Sequence, residues 1–311
     1  GTKDNNQAKE QKEEKKLKIV DLSSNTRPYA VMINNHPSAR QNHAGLQDAY
    51  LIYEMIVEGG MTRYMAVFKD KDTAKIGSVR SSRHYFLDYV LENDAIFVHY
   101  GHSPQALSDI KSLKINNING MYDAKGFFRD TSLHRAYEHT AFTSMDRINK
   151  LIKSKKYRNT TEEQLLKYSP IKMEYKTENK KEANIVEIVY SSYQTTKYVY
   201  DPENMNYKMF MGGKEHTDLI TKKQYTVKNI ITYQVQNSSI QSDRKGRQDL
   251  YNVGNGEGYY VSNGEAIKIK WSKKDRASKT IYTLEDGSEL KVNDGNTWIH
   301  IQPKGKKLNI S

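Results

Sequence analysis

Two arginines that flank a pair of serines form the segment with the clearest capacity for chemistry. Arg80 and Arg83 surround Ser81 and Ser82 in VRSSR, which follows a short predicted strand and opens a predicted helix. The first N–H groups of a helix lack intrahelical partners, and forked guanidinium donors match the oxygens of a phosphate or carboxylate. The segment therefore predicts an anion-binding site. In the alternative interpretation, a serine only caps the helix and an arginine pairs with a nearby glutamate.

Histidines and asparagines occupy two further junctions where a predicted strand ends. His99 and His102 lie in VHYGHSP, and Asn35 and His36 lie in VMINNHP. The carboxyl ends of parallel strands share one edge of a sheet, where ligands bind. If the three strands are parallel neighbours, these side chains line one ligand-binding cleft together with the VRSSR segment. The alternative for each histidine is an ordinary hydrogen-bonded role.

A pair of glycines predicts how two acids and a third arginine are arranged. The runs AYLIYEMIVE and MTRYMAVFK are typical of strands, and Gly59-Gly60 between them predicts a two-residue hairpin turn. In that register, strand alternation places Glu54, Glu58 and Arg63 on one face as diagonal neighbours. We expect these three residues to belong to the same anion cleft. In the structural alternative, Glu54 or Glu58 pairs with an arginine of VRSSR.

The residue types exclude or fail to support several reaction classes. The chain has no cysteine, which excludes a disulfide framework, thiolate zinc sites and a cysteine nucleophile. His99 and His102 form an H-x-x-H pair without a helix or a carboxylate at a fixed offset, so neither a metal site nor a cofactor is predicted. Glu54 and Glu58 would stand roughly 13 Å apart along a strand, too far for a glycosidase pair. No nucleophile elbow supports a serine triad.

Charge and composition narrow the possible partners. The 311 residues carry a net charge of +12 and a pI of about 9.4, which suits an acidic partner such as a lipid head group or a wall polymer. Lysines are interleaved with acids and no nucleic-acid-binding motif is present, so nucleic acid is not expected as a partner. Hydrophobic residues make up only 36% of the chain, but 23 tyrosines can supply an aromatic core.

The first half of the chain alternates strands and helices. PYAVMIN, KIGSV and AIFVHYG predict strands. Four segments predict helices: HYFLDYVLEN with Ser81 or Ser82 as N-cap, SPQALSDIKSL with Ser103, TSMDRINKLIKSKKY with Thr143 or Ser144, and TEEQLLKYS. We therefore expect residues 19–170 to form a mixed α/β lobe, in which helices cover a sheet.

The second half consists of short alternating runs that predict a mostly antiparallel β-rich lobe over residues 183–311, and thus an overall α+β or α/β class. A charged linker is predicted at residues 171–182, and the polar residues 1–18 predict a flexible tether. Asn263-Gly264 and Asp286-Gly287 predict two-residue hairpins. Their exposed edges would dock a protein partner, and the alternative is that they only close the sheet.

Long and uncommon phrases in both halves resemble one bacterial family. They are RPYAVMINNHPSARQNHAGLQDAYLIYEMIVEGGMTRYMAVF, KIGSVRSSRHYF, DAIFVHYGHSPQA, GEGYYVSNGEAIKIKW and DGNTWIHIQP. These phrases are similar to segments of the YerB-like bacterial lipoproteins, a two-part domain of unknown function. The resemblance implies a lipidated cysteine upstream of residue 1 and two lobes on the outer face of the cell membrane. The sequence departs from the family pattern after Arg40, at QNHAG, and at YEHTAF.

Together these observations predict an extracytoplasmic, membrane-anchored lipoprotein that binds a ligand or scaffolds other proteins. The N-terminal lobe would hold an anionic small ligand or a wall polymer, and the β lobe would dock a protein. The alternative is a hydrolase or transferase acting on a phosphorylated or glycan cell-wall component. In that case a histidine would act as acid or base, and Arg80 or Arg83 would stabilise charge.

Overall fold

The computed structural model describes residues 16–311, so most of the predicted tether at 1–18 lies outside the described residues. The strands of the first half are β1 (Tyr29–Asn34), β2 (Leu51–Ile56), β3 (Thr62–Phe68), β4 (Ile76–Gly77), β5 (Ile96–His99), β6 (Asn117–Asn119), β7 (Phe128–Arg129), β8 (Ala141–Thr143) and β9 (Lys167–Ser169). The α-helices are α1 (Leu87–Glu92), α2 (Pro104–Ser112) and α3 (Met145–Lys155).

The second half is built almost entirely of strands. They are β10 (Lys181–Glu182), β11 (Ile185–Ser191), β12 (Gln194–Asp201), β13 (Asn206–Met211), β14 (Lys214–Glu215), β15 (Thr226–Val227), β16 (Asn229–Val235), β17 (Asn237–Ser239), β18 (Gln248–Leu250), β19 (Gly254–Ser262), β20 (Glu265–Lys273), β21 (Ile281–Thr283), β22 (Lys291–Asn293), β23 (Thr297–Pro303) and β24 (Leu308–Ile310). The predicted α+β class is confirmed. Within residues 16–311, no helix is long and apolar enough to cross a bilayer.

One sheet of eleven strands runs through both halves of the chain. Its order is β10-β20-β19-β16-β23-β2-β3-β1-β5-β6, with β21 paired to β20. The two halves meet where β2 pairs with β23 in parallel. The two predicted lobes therefore share a continuous hydrogen-bonded sheet, and their exact boundaries stay a prediction.

Seven strands of this sheet end at the same edge, which we call the carboxyl edge; one of them is β20, which lies antiparallel to β19 as β16 does. β16, β23 and β2 are parallel, and so are β1, β5 and β6, while β1 and β2 both run antiparallel to β3. The expectation that three strands are parallel neighbours is therefore right for β1 and β5. It is wrong for β4, which belongs to a separate sheet with β7 and β8.

Each face of the large sheet is covered by different elements. One core packs α1 and α2 against residues such as Met32, Tyr53 and Met65. The other packs α3 and a six-stranded sheet, ordered β14-β13-β12-β11-β24 with β15 beside β13, against residues such as Ile33 and Tyr64. Neighbouring residues of one strand thus enter opposite cores, as the pleat requires.

Two of the predicted helix starts are confirmed. The Ser103 hydroxyl accepts a hydrogen bond from the Ala106 N–H at 3.1 Å, and Pro104 follows it as the first helical residue. The Ser144 hydroxyl accepts from the Arg147 N–H at 3.2 Å at the start of α3. Both caps satisfy N–H groups that the helix itself leaves unpaired.

The predicted cap at Ser81 or Ser82 is wrong. A 3-10 turn at His84–Phe86 precedes α1, and Arg83 lies before this turn in an extended conformation without a side-chain cap. The physical reason is that the backbone N–H groups of Arg80 and Ser82 bond to β1 and to the loop after β5. These bonds hold the VRSSR segment extended up to the turn.

The helix predicted in TEEQLLKYS is also wrong. The segment is irregular until β9, which pairs in parallel with β22. Leu165 and Leu166 are both buried in the core next to each other. Tertiary packing of this pair overrides the helical propensity of the segment.

The loop after β2 corrects the prediction of a two-residue turn. β2 and β3 do form an antiparallel hairpin, but Ile56 pairs with Thr62, and the connection contains a 3-10 turn at Glu58–Gly60. Gly59 and Gly60 have φ values of 69° and 74°, so both take the left-handed conformation that favours glycine. The prediction that both glycines lie in the turn is correct, but the turn is longer than the two residues predicted.

The change of register separates residues that were expected on one face. Tyr64 lies opposite Glu54, and Met55 lies opposite Arg63. Because a shift of one residue exchanges the two faces of a strand, Glu54 and Arg63 lie on opposite faces of the sheet. The predicted common face of Glu54, Glu58 and Arg63 is therefore wrong.

The two hairpins predicted in the second half differ in outcome. Ser262 pairs with Glu265 around Asn263-Gly264, which confirms a two-residue turn with both central φ values positive. Asp286-Gly287 lies in a longer loop, because the Leu284 N–H bonds to the Ser288 carbonyl and leaves three residues between them. The extra residue is accommodated by positive φ at Gly287.

The chain enters the fold at the edge opposite the carboxyl edge. The backbone N–H groups of Lys18 and Ile19 donate to the two carboxylate oxygens of Asp294 at 2.9 and 3.0 Å. Asp294 lies just before the first residue of β23. The first described residues are therefore held where the parallel strands begin.

Candidate functional site

Three arginines surround one glutamate at the carboxyl edge, and we call Arg63, Arg80, Arg83 and Glu58 the arginine cluster. Glu58 comes from the turn after β2, and Arg63 lies at the start of β3. The Arg83 Nε donates to Glu58 Oε2 at 3.1 Å, and its Nη2 donates to Oε1. The Arg63 Nη2 lies 3.7 Å from Glu58 Oε1, and its Nη1 donates to the Ser81 carbonyl at 2.7 Å.

The cluster keeps its glutamate ionised. Burial alone would raise the pKa of Glu58, but the hydrogen bond from Arg83 and the charges of Arg63 and Arg83 lower it to about 2. Burial and then the charges of Arg83 and Arg80 lower the pKa of Arg63. The guanidiniums therefore lie close enough to repel one another, and one carboxylate does not balance them.

Arg80 is the guanidinium in the cluster that lacks a partner. Its backbone is fixed, because its N–H bonds to the Met32 carbonyl and its carbonyl accepts from Tyr100. Its half-buried side chain makes no hydrogen bond or ion pair to any described residue. Burial, followed by the charge of Arg83, lowers the pKa of Arg80. A positioned cation with unused donors is what an anionic ligand requires.

Two stacked histidines, which we call the imidazole pair, lie beside Arg80. The rings of His36 and His139 are 4.9 Å apart between centroids. The Ser38 N–H donates to His36 Nδ1 at 3.0 Å. Asn34 accepts from the His36 N–H and contacts His139 Nδ1 at 2.8 Å through its amide nitrogen. Both Nδ1 atoms therefore act as acceptors, which assigns the ring proton of each neutral histidine to Nε2.

The environment keeps the imidazole pair neutral. Burial and then the charge of Arg80 lower the pKa of His36. Burial and then the charge of His36 lower the pKa of His139. At neutral pH both rings are uncharged, and each keeps an Nε2–H group as a donor. The His139 Nε2 lies 4.0 Å from Glu138 Oε1, at the margin of an ion-pair contact. Cationic and neutral donors together form a site suited to oxygen anions.

Comparison with known proteins finds relatives along nearly the whole chain. Residues 17–158 match the N-terminal domain, and residues 186–299 the C-terminal domain, of the family described as protein of unknown function (DUF3048). This chain belongs to the DUF3048 family. The Bacillus subtilis (strain 168) protein named "Putative lipoprotein YerB" is 32% identical in an alignment 303 residues long, which covers 95% of this chain and 87% of that protein. The crystal structure of YerB from Bacillus subtilis has a TM-score of 0.80 and 30% identity, covering 96% of this chain and 98% of that one.

The DUF3048 chain brings part of the predicted cleft together. Arg63, Arg80, Arg83 and Glu58 form the arginine cluster, His36 stacks beside it, and the Ser81 carbonyl accepts from Arg63. The Ser81 hydroxyl donates to the Tyr100 carbonyl at 3.1 Å. Of the two predicted pairings, Glu58 rather than Glu54 holds the arginines. The structural alternative therefore holds for Arg63 and Arg83, whereas Arg80 takes no part in the ion pairs.

Four other predicted residues have different surroundings. Asn35 is buried and donates to the Thr62 hydroxyl at 2.8 Å. His99 is fully buried, with Nδ1 2.6 Å from the Gly101 carbonyl and Nε2 2.9 Å from Asn117 Oδ1. Both of its ring nitrogens are therefore occupied by protein groups. His102 is half-buried, and its Nδ1 contacts the Asn119 amide nitrogen at 3.0 Å.

Glu54 is the centre of a buried network in this DUF3048 protein, which we call the Glu54 network. Its carboxylate is fully buried and accepts from four side chains. The donors, with distances to the carboxylate, are Thr196 at 2.6 Å, Thr62 at 2.7 Å, Gln194 at 3.0 Å and His300 Nδ1 at 3.0 Å. His300 Nε2 lies 2.6 Å from the Tyr198 hydroxyl. The network joins the large sheet to the six-stranded sheet beneath it.

Sequence reasoning missed His139 and the partners of Glu54. His139 lies in an irregular loop, and its only sequence signal is its position beside Glu138 in YEHTAF. His300 lies in TWIHIQP, a strand in which every residue is buried. Polar and apolar residues do not alternate there, so the sequence does not indicate which face of the sheet His300 lies on. Among residues 16–311, no group of three or more His, Asp or Glu side chains is arranged to hold a metal ion.

Proposed function

We propose that this DUF3048 protein is a membrane-anchored lipoprotein that binds an anionic group, a phosphate or a carboxylate, at the arginine cluster. One observation carries the binding proposal. Three buried or half-buried guanidiniums surround a single carboxylate, and the one on Arg80 has no partner among the described residues. The charges of Glu138 and Glu58 act on Arg80, but neither carboxylate forms an ion pair with it among the described residues. Its guanidinium donors therefore remain unused, and an anionic ligand would satisfy them.

The anchoring proposal is supported by the relative from Bacillus subtilis, whose name describes a lipoprotein and which this chain matches over 95% of its length. We extend that description to this chain and assign it to the outer face of the cell membrane. The ligand would then be an extracytoplasmic molecule, such as a phosphorylated small molecule or an anionic wall polymer.

The imidazole pair supports an oxygen anion as the ligand. Guanidinium groups bind phosphate and carboxylate oxygens through two parallel N–H donors. The Nε2–H groups of His36 and His139 add neutral donors without increasing the repulsion within the cluster. One anion contacting Arg80 and the imidazole pair would satisfy all three side chains at once.

A calorimetric titration tests the proposal. The full chain is titrated at low ionic strength with inorganic phosphate and, separately, with acetate, to distinguish the two classes of anion. We expect Arg80→Ala to weaken binding by about 10-fold to 100-fold, which corresponds to the loss of charge-assisted hydrogen bonds worth about 1.5–3 kcal/mol.

Arg244→Ala is the matched control, because Arg244 is exposed and makes no hydrogen bond or ion pair to the described residues. It removes the same charge away from the cluster and should change the dissociation constant less than twofold. If neither anion binds to the wild-type chain, or if both variants weaken binding equally, the proposal is wrong.

A further inference from the structure

The arginines of this chain are concentrated at the carboxyl edge. Nine of the twelve lie in the loops at this edge or at the start of β3: Arg40, Arg63, Arg80, Arg83, Arg129, Arg135, Arg244, Arg247 and Arg276. Lysines are far more numerous and are spread over the whole chain. Arginine is enriched in protein interfaces and lysine is depleted, because the guanidinium is less strongly hydrated and more rigid.

The exposed tyrosines lie at the same edge. Among the described residues, the tyrosines with the largest exposure are Tyr122 (72%), Tyr137 (70%), Tyr193 (61%) and Tyr251 (51%). Tyr122 follows β6, and Tyr193 lies beside Gly60 in the turn after β2. Most of the other tyrosines are buried. Tyrosine and arginine together are the residues most typical of energetically important interface positions.

The loops around Arg80 bring these residue types into contact. The guanidinium of Arg129 stacks on the Tyr137 ring at 3.4 Å and lies 4.8 Å from the Tyr100 ring centroid. The ring of Tyr122 stacks on His102 with centroids 6.3 Å apart. The aromatic rings are therefore held in place by cations and imidazoles, and their outer faces are available to a partner.

An acidic cavity of about 270 Å³ opens at another part of the edge, beside the start of α1. Asp249 Oδ1 lies 2.7 Å from His84 Nε2, and Asp88 Oδ1 accepts from Arg276 at 2.6 Å. Asn252 is 98% buried and donates to Asp88, but its side-chain carbonyl has no partner among the described residues. Arg276 and His84 also line the cavity and pair with its two carboxylates. The Asn252 carbonyl and the second carboxylate oxygen of Asp249 remain as acceptors for an ammonium or guanidinium group.

The surface is wider than a small ligand bound at Arg80 would cover. Tyr122 follows β6 and Tyr251 lies beside the end of β16, to which its backbone is joined through Gln236. Six strand spacings separate β6 from β16 in the sheet order, which corresponds to roughly 30 Å. This is the width of a protein interface of ordinary size.

We infer that the carboxyl edge docks an extended segment of a partner protein that carries both acidic and basic side chains. A carboxylate of the partner would bind the arginine cluster, and a basic side chain would enter the cavity at Asp249. The inference rests on the proposed anion site in one respect: Arg80 supplies the point at which the partner's acid is held.

The carboxyl edge carries both positive and negative side chains, which favours a protein as the partner over a polyanion. A phosphate polymer would be attracted to Arg80 but repelled by Asp88, Asp249 and Glu58 on the same edge. A peptide can match both signs along its length. Exposed Met121 and Val253 add apolar surface that a phosphate chain has no means to cover.

Peptide selection tests the inference. A random dodecapeptide phage library is selected on the immobilised full chain, since twelve extended residues reach roughly 40 Å and span the edge. Selected peptides are synthesised, and their binding is measured by fluorescence anisotropy. We expect them to contain both an acid and a base, and to bind at least tenfold more weakly to Arg80→Glu, to Asp249→Lys and to Tyr137→Ala.

Charge exchange provides the sharpest readout. A selected peptide in which the critical acid is replaced by lysine should regain binding to Arg80→Glu, which loss of folding would not permit. The controls are Lys71→Ala and Leu22→Ala, both at exposed positions near the opposite edge, which should change affinity less than twofold.

Three outcomes overturn the docking inference: no enriched peptide, no rescue by charge exchange, or exclusively acidic peptides that polyphosphate displaces and that Asp249→Lys does not weaken. The last outcome would assign the edge to a polyanion and leave the anion site intact. Conversely, the chain could bind neither phosphate nor acetate and still bind selected peptides whose binding to Arg80→Glu is rescued by charge exchange. That result would support docking and contradict the small-anion proposal.

Discussion

The interior of this protein and its carboxyl edge arrange charge in opposite ways. In the interior, the fully buried side chains of Lys273 and Glu92 lie 3.2 Å apart. Glu92 also accepts hydrogen bonds from Tyr53 at 2.6 Å and from the Thr280 hydroxyl at 2.7 Å. At the carboxyl edge, the arginine cluster has three cations and one anion. The charges of this interior pair are matched within the chain, and those of the arginine cluster are not.

The difference separates the residues that hold the fold from those available for binding. A matched buried pair is stabilising only while both members are present, since removal of one leaves an uncompensated charge. An unmatched cation near the surface contributes little to folding and retains its donors for a ligand. Stability measurements on the two regions should therefore diverge.

The largest expected effect is in the interior. Lys273→Met leaves the Glu92 carboxylate buried without its cation, and we expect the free energy of unfolding at pH 7 to fall by about 3–5 kcal/mol. Urea titration followed by circular dichroism measures it. The double variant Lys273→Met with Glu92→Gln should recover much of the loss. If the free energy of unfolding of the single variant falls by less than about 1 kcal/mol, the proposed difference between the interior and the carboxyl edge is wrong.

A second interior pair makes stability depend on pH. His43 Nε2 lies 2.7 Å from the Asn34 carbonyl, its Nδ1 lies 2.7 Å from His216 Nε2, and burial lowers the pKa of His43 to about 4. Below pH 6.5 the unfolded chain therefore binds a proton that the native chain does not. From pH 6.5 to pH 4 the free energy of unfolding should fall by roughly 3 kcal/mol from this residue alone.

His43→Gln tests the assignment of that pH dependence. The variant is expected to be less stable than the parent at pH 7, but to lose less stability on acidification, as measured by urea titration at several pH values. Equal slopes in parent and variant would assign the pH dependence to other groups.

The smallest effects are expected at the carboxyl edge. Glu58→Gln should lower the free energy of unfolding by about 2 kcal/mol at pH 7, because it removes the only carboxylate of the arginine cluster. Arg80→Ala should change it by less than about 1 kcal/mol, since this guanidinium has no partner to lose and its neighbours repel it. Thermal and urea unfolding of both variants measure the difference. A larger loss for Arg80→Ala would place Arg80 among the structural residues.

Local chemistry made part of the fold and site predictable. Ser103 and Ser144 cap helices because a hydroxyl next to free N–H groups is favourable in any context. Asn263-Gly264 closes a hairpin because both residues tolerate positive φ. VRSSR was predicted as an anion site from its two arginines and a helix start. The helix start was wrong, and the anion site stays a prediction.

Long-range pairing was not predictable from one sequence. β2 lies in the first half of the chain and β23 near its end, and no periodicity indicates which strands become neighbours. The same limit hid the contact between Glu54 and His300, which are 246 residues apart. The turn after β2 is one residue longer than predicted, and this shift reverses which residues of β2 and β3 share a face. Glu54 therefore lies in the core and not in the predicted cleft.

The contact between Asp294 and the backbone of Lys18 and Ile19 fixes where the first described residues meet the sheet. This contact lies where the parallel strands begin, and the arginine cluster lies where they end. Strands of six or seven residues separate the two by roughly 20 Å. If the protein is attached to a surface through residues before Lys18, the attachment lies at the edge where the parallel strands begin, opposite the carboxyl edge. The arginines and exposed tyrosines would then point away from the attached surface, towards whatever approaches from outside.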